Sequence, residues 1–214
     1  MFNFFKSKPN FEFTDRIWTD GRNKFNGICE EARGAEASGM GVLVIAYFQD
    51  TLQTLEEEFR SRGIAFQRRA PLDAHDFCST GGRAGSSCVW LLGASQLEYG
   101  IGTGTGSGDP DLHVIFAEHH PVYSRDHAVL QVAATLPCSS RIAFHTALDD
   151  AMMIRFGGER MSSLMATLGQ DAETALEHPF ISSSIQRAQE KIENKVRNET
   201  DASSAEEWFR FNVD

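Results

Sequence analysis

The sequence predicts an α/β fold: three layers with a mainly parallel sheet between helices, followed by a C-terminal helical extension. Three observations predict it. Gly41 to Phe48 (GVLVIAYF) is a continuous apolar run of strand length, and a run without alternation suits a strand buried on both faces. A helical segment and another short apolar segment follow with short turns, the repeating unit of a doubly wound sheet. Beyond residue 157 the apolar spacing becomes purely helical.

Residues 1–14 are read as an N-terminal tail. Phe2, Phe4 and Phe5 stand ahead of Lys6 and Lys8, which suits either docking on the protein's own core or peripheral contact with anionic headgroups. Residues 15–157 form the α/β domain. A helix is predicted from Asp15 to Ala37 on the spacing of Ile17, Phe25, Ile28, Cys29 and Ala32, stopped by Ser38-Gly39. After the Gly41–Phe48 strand, Leu52, Leu55 and Phe59 share one helical face, closed by Gly63, and Ile64 to Phe66 reads as the next strand. Cys88–Leu92, Leu112–Ala117 and Arg141–Thr146 supply three more strands, so the sheet has at least five. Residues 158–198 form the helical extension. Met161, Leu164, Met165 and Leu168 line one helix; Pro179 starts another, whose stripe is Ile181, Ile185, Ala188, Ile192 and Val196. Residues 199–214 are an acidic, aromatic tail.

Several groups invite a chemical reading. The glycine-rich loop Gly100–Gly108, with Gly102, Gly104 and Gly106 alternating with small polar residues and Asp109 behind, can cradle an anion with backbone N–H groups; the same composition describes a linker. His119, His120 and His127 beside Glu118 suggest a metal, but adjacent histidines on a strand point to opposite faces, and no i, i+4 pair has a matching third ligand. No G-x-S-x-G elbow is present. Cys138 beside Arg141 reads either as a reactive thiol or as a buried small residue. Trp208, Phe209 and Phe211 form a short aromatic group of the kind that docks into a partner's groove, or that folds back on its own sheet. No catalytic residue, metal or cofactor is predicted.

Composition narrows the classes. The 214 residues, 41% hydrophobic, supply an ordinary core. A formal charge of −10 disfavours nucleic acid as a partner, because backbone binding rests on Lys and Arg displacing counterions. Cys29, Cys78, Cys88 and Cys138 lack C-x-x-C spacing, and reduced thiols are the default. With no apolar run of roughly 20 residues and no signal-peptide pattern, the expected location is the cytoplasm.

The stretch Leu148–Glu193 carries a specific string: Asp149, Asp150, Met152, Arg155, Phe156, Gly157, then Glu177, His178 and Pro179, then Gln186 to Glu190. It resembles the SecA preprotein-translocase motor, where such a segment follows the second RecA-like nucleotide-binding domain and opens the helical scaffold. The layout around Gly41–Val44 and Arg62–Ile64 is similar to the start of that domain. The resemblance implies a RecA-like (P-loop NTPase-like) fold and places Gly100–Asp109 at a nucleotide-sensing motif. Glu118 and His120 match a Glu-x-His preceding the family's last ATPase motif. With Asp126 and Ser139-Ser140-Arg141 as anchors, that motif's three arginines fall on Leu130, Val132 and Thr135, which cannot stabilise a transferring phosphoryl group. No G-x-x-x-x-G-K-[ST] occurs. The expectation is a non-catalytic SecA-like domain serving as a protein-binding or regulatory module. The alternative is half of a split ATPase whose partner carries the lysine loop.

Overall fold

The computed structural model describes residues 11–68, 89–98, 111–134, 139–167, 171 and 173–214. Its centre is a six-stranded sheet in the order β3-β2-β4-β5-β1-β6, with five strands parallel and the short β6 antiparallel to β1. The strands are β1 (Phe11–Trp18), β2 (Gly41–Ala46), β3 (Val89–Gly93), β4 (Asp111–Phe116), β5 (Ser139–Ala147) and β6 (Leu176–Glu177). The described helices are α1 (Gly21–Ala37), α2 (Gln49–Ser61), α3 (Ser95–Glu98), α4 (Tyr123–Ala134), α5 (Ala151–Phe156), α6 (Gly158–Thr167), α7 (Pro179–Glu193) and α8 (Ala205–Asn212). This is the three-layer α/β arrangement, with a mainly parallel sheet and a helical extension, that the sequence predicts.

All six residues of β2 are buried, and period-two alternation sends them to two cores. Val42 and Val44 face Ile28, Cys29 and Ala32 of α1 and Leu52, Leu55 and Phe59 of α2. Leu43 and Ile45 face Leu97 of α3 and Val129 of α4, in a cluster where the rings of Phe116 and Phe144 stack 4.1 Å apart. A third core lies beyond the carboxyl ends of the strands. There Met152, Met153, Met161 and Met165 pack with Ile181, Ile185 and Ile192 of α7 and with Trp208 and Phe209 of α8.

Three local expectations are corrected. The chain from Phe11 to Trp18 is a strand, where the sequence reading has a tail to residue 14 and then a helix from Asp15; α1 starts only at Gly21, capped by Asp20, whose carboxylate accepts from the N–H of Asn23 at 2.9 Å. The strand signal is hidden because Asp15 and Arg16 are charged, yet Asp15 is buried on one face and Arg16 is ion-paired on the other. Ile64–Phe66 is not a strand: the ladder contact falls on Gln67, whose N–H and C=O bond to Val89 and Leu91 at 2.9 Å each, as a single bridge. The 199–214 segment is not a loose tail, because α8 buries Trp208 and Phe209. Gly39 and Gly63 end α1 and α2 with φ of 79° and 68°, the left-handed conformation that glycine adopts without a Cβ penalty.

Candidate functional site

Ligands of open α/β sheets sit outside the carboxyl ends of the strands, where successive connections leave toward opposite faces. Here that switch lies between β2 and β4, since the chain leaves β2 through α2 on one face and β4 through α4 on the other. Glu118, two residues past β4, spans the switch. Its Oε1 accepts from the backbone N–H groups of Tyr47 and Phe48 at 3.0 Å each, and its Oε2 accepts from the Thr51 hydroxyl at 2.7 Å. The approach to the N-terminus of α2, a natural anion position, is therefore filled by the protein's own carboxylate. Burial pushes the Glu118 carboxyl up to about 7, against the opposing pull of Lys24 and these hydrogen bonds.

Beside Glu118 is a cavity of about 280 Å³ bounded by Lys24 and Phe25 of α1, Asp50, Thr51 and Thr54 of α2, Asp149 to Met152 around the start of α5, and Ala205, Glu206 and Phe209 of α8. Lys24, 2% exposed, is held by Asp150 at 2.6 Å. Asp150 also accepts from the N–H of Ala147 at 2.7 Å, which closes the turn between β5 and α5. Lys24, the one lysine at the cavity among the described residues, is thus already neutralised, while Asp50 and Asp149 are exposed at its mouth.

His119 lies between two carboxylates, with Asp126 Oδ2 2.6 Å from Nδ1 and Asp15 Oδ1 3.0 Å from Nε2. Burial opposes its charge, but the Asp126 and Asp15 carboxylates outweigh it and push the imidazole up to about 10. Both ring nitrogens are occupied, which leaves no lone pair for a metal. Gln189 of α7 donates to Asp126 at 2.6 Å and to the carbonyl of His120 at 2.8 Å, so one polar network joins β1, the end of β4, α4 and α7. On the opposite face, Glu31 of α1 meets Arg16, His113 and His145, and His145 Nδ1 accepts from the indole N–H of Trp18 at 3.0 Å. Burial works against the Glu31 carboxylate, but its hydrogen bond with His113 and the close approach of His145 and Arg16 hold it well below the usual range.

The segment from Glu199 to Asn212 crosses the carboxyl end of the sheet. The Ser203 carbonyl accepts from the N–H of Asp50 at 3.1 Å, capping α2, whose own N-cap residue Phe48 supplies no side-chain bond. Glu199 accepts from Arg125 at 2.9 Å and from the indole of Trp208 at 3.1 Å, with His120 Nε2 at 3.4 Å. Arg155 pairs with Glu206 at 2.6 Å and lies 4.8 Å over the ring of Phe209.

The residues singled out from sequence fare differently. Trp208 and Phe209 are 1% and 0% exposed, packed in the third core, so they are core residues and offer no surface to a partner's groove; Phe211 is 49% exposed. Leu130 and Val132 are half-buried on α4, with Leu130 packed against the core under that helix. Phe2, Phe4, Phe5, Gly102, Gly104, Gly106, Asp109, Thr135 and Cys138 lie outside the described residues. His127 is exposed on α4, apart from the His119 network. Much of the Asp-Asp-x-Met-x-x-Arg-Phe-Gly string has a structural job: Asp150 holds Lys24, Met152 and Met153 fill the core, and Arg155 ties α5 to α8, while Asp149 is exposed at the cavity mouth. Sequence reasoning missed the roles of Asp15, Lys24 and Glu31 and used Asp126 only as an anchor for the resemblance, because a charged residue carries no local sign that it will be buried against a partner far along the chain.

No protein-family model matches the chain. It is similar to SecA protein translocase subunits over most of its length. It is 26% identical to that of Chlorobium limicola over 187 residues, covering 86% of this chain and 18% of the relative. It is 25% identical to that of Caldicellulosiruptor saccharolyticus over 191 residues, covering 88% and 22%. It is 22% identical to that of Acidithiobacillus ferrooxidans over 223 residues, covering 86% and 24%. The chain therefore spans about a fifth of the length of these relatives. Among solved structures, the C-terminal part of the Fun30 ATPase domain aligns with a TM-score of 0.45 at 13% identity, covering 80% of this chain and 54% of that one.

Proposed function

We propose that this SecA-like chain is a protein-binding or regulatory accessory module linked to protein translocation, and that it does not turn over ATP by itself. The observation that carries the reading is the anion position at the sheet's switch point. The two backbone N–H groups and the hydroxyl that would meet a phosphate are bound to Glu118. Among the described residues, the one lysine at the cavity is committed to Asp150, and the charges at its mouth, Asp50 and Asp149, are carboxylates, which repel a polyphosphate.

The positions of the family's arginines, Leu130 and Val132 among the described residues, are aliphatic and half-buried. Charge stabilisation of a transferring phosphoryl group has no source there. The split-ATPase alternative gains no support, because a partner's nucleotide would have to reach a face already crossed by Ser203 to Phe209. The test is calorimetric titration of the full chain with ATP and with ADP in the presence of magnesium, together with a turnover assay. No heat of binding and no phosphate release are expected. Magnesium-dependent turnover that Asp109→Asn abolishes would overturn the reading.

A further inference from the structure

The cavity at the carboxyl end of the sheet has a feature that the absence of nucleotide chemistry does not account for. Thr146, the penultimate residue of β5, is 2% exposed and lines the cavity, and its hydroxyl Oγ1 has no hydrogen-bond partner among the described residues. An orphaned buried hydroxyl costs free energy unless something occupies the space beside it. Along the same wall the charges are lopsided. Among the described residues Lys24 is cancelled by Asp150, Glu206 is paired with Arg155, and the His119 imidazolium, also on this wall, is balanced by Asp15 and Asp126. That leaves the carboxyl groups of Asp50, Asp149 and Glu118, the first two exposed at the mouth and the third buried at depth.

We infer that this cavity is a docking site for a basic side chain, a lysine or arginine presented by a protein partner. This rests on the protein-binding reading and names the chemistry of the partner at that site. At about 280 Å³ the cavity is at the bottom of the roughly 300–1,000 Å³ range of small-molecule sites, with room for the charged end of a side chain and not for a base, a sugar and phosphates. The aliphatic stem of such a side chain would lie along the apolar wall made by Phe25, Met152 and Phe209, as long basic side chains do when they keep their heads near polar groups. Its N–H groups would meet Asp50 and Asp149 on the way in and Thr146 Oγ1 inside. Charge-assisted hydrogen bonds of this kind are the stronger class.

The experiment titrates the full chain with a blocked hexa-arginine peptide at moderate salt, following backbone amide shifts by NMR. The largest shifts are expected at Thr146, Asp149 and Asp50. The double substitution Asp50→Asn with Asp149→Asn is expected to weaken binding about tenfold. Thr146→Val, close in shape but lacking the hydroxyl, weakens it by a smaller factor. The control substitution Glu190→Gln with Glu193→Gln removes the same formal charge from the end of α7 and leaves affinity within about twofold. Equal weakening by both double variants would show general attraction to an acidic protein and overturn the inference, as would an absence of shifts at Thr146. Either result leaves the accessory-module reading standing; ATP binding competitive with the peptide would overturn both.

Discussion

Glu118 carries the most informative single conflict in the molecule: it satisfies three donors that ask for a negative charge, in a position where burial resists one. Its ordinary value of 4.5 is raised to about 7. A raised carboxyl binds a proton in the native state that the unfolded chain has already released, so stability falls as pH rises from about 4.5 to about 7. At roughly 1.4 kcal/mol per pH unit the fall attributable to this group is about 3 kcal/mol. Glu118→Gln keeps an oxygen for the N–H groups of Tyr47 and Phe48 and removes the titration. Urea unfolding at pH 5 and at pH 8 should show the variant gaining on the wild type by about that amount between the two. An unchanged difference would mean that Glu118 is solvated in solution. The same residue shows why a sequence match is not a match of chemistry. The resemblance places it before the SecA family's last ATPase motif, and its use here is to close a loop junction.

At the scale of elements, α1 shows how packing reverses a propensity rule. A Cβ built on Gly27 would fall inside the indole of Trp18, whereas one built on Gly34 meets nothing within 4 Å. Glycine to alanine in a helix interior ordinarily stabilises by about 1 kcal/mol, and Gly34→Ala should do so. Gly27→Ala must instead push Trp18 off its hydrogen bond with His145 and is expected to cost about 1–3 kcal/mol, read as a melting temperature lowered by several degrees with a changed tryptophan emission. If both variants melt higher than the wild type, the indole does not sit against α1. The elements most legible in the sequence are those whose apolar residues follow one period. β2 is a run of six buried residues, and α7 buries Ile181, Ile185, Ala188 and Ile192 as its stripe predicts. β1 was illegible because its alternation is written partly in charges, Asp15 toward His119 and Arg16 toward Glu31 and Glu177. α8 stays open between two readings in the sequence for the opposite reason: acidic and aromatic residues close together suit a partner's groove as well as the chain's own core, and only the third core shows Trp208 and Phe209 filling it.

At the scale of the whole molecule, the buried and half-buried titrating groups beyond β4 and under α1 shape one stability curve. Glu31, between α1 and the sheet, has its carboxyl lowered by His113, His145 and Arg16 against the effect of burial. Its contribution is complete above the ordinary value of 4.5 and is lost as pH falls below it. Glu118 acts in the reverse sense and withdraws stability between about 4.5 and 7. His119, raised from 6.5 to about 10 by Asp126 and Asp15 against burial, contributes fully below 6.5 and loses that contribution as pH climbs toward 10. The candidate site was only partly legible for the same reason, since Glu118 and His119 were noticed as a polar cluster but their partners come from β1, α2 and α4. His120 and His145, both lowered by burial, oppose Glu118 by adding stability as pH rises toward 6.5, so the sum stands highest in the acid-to-neutral range and declines toward alkali as His119 loses its proton, more steeply than carboxylate pairs alone would give. Removing the central charge tests the sum. His119→Leu leaves Asp15 and Asp126 buried without a cation and should cost about 3–5 kcal/mol at pH 6. It should cost progressively less toward pH 10, where the wild type has itself lost the proton. A wild-type curve that is flat from pH 7 to 10, with a variant deficit that does not shrink, would place the His119 proton elsewhere and break the link between this network and the stability of the fold.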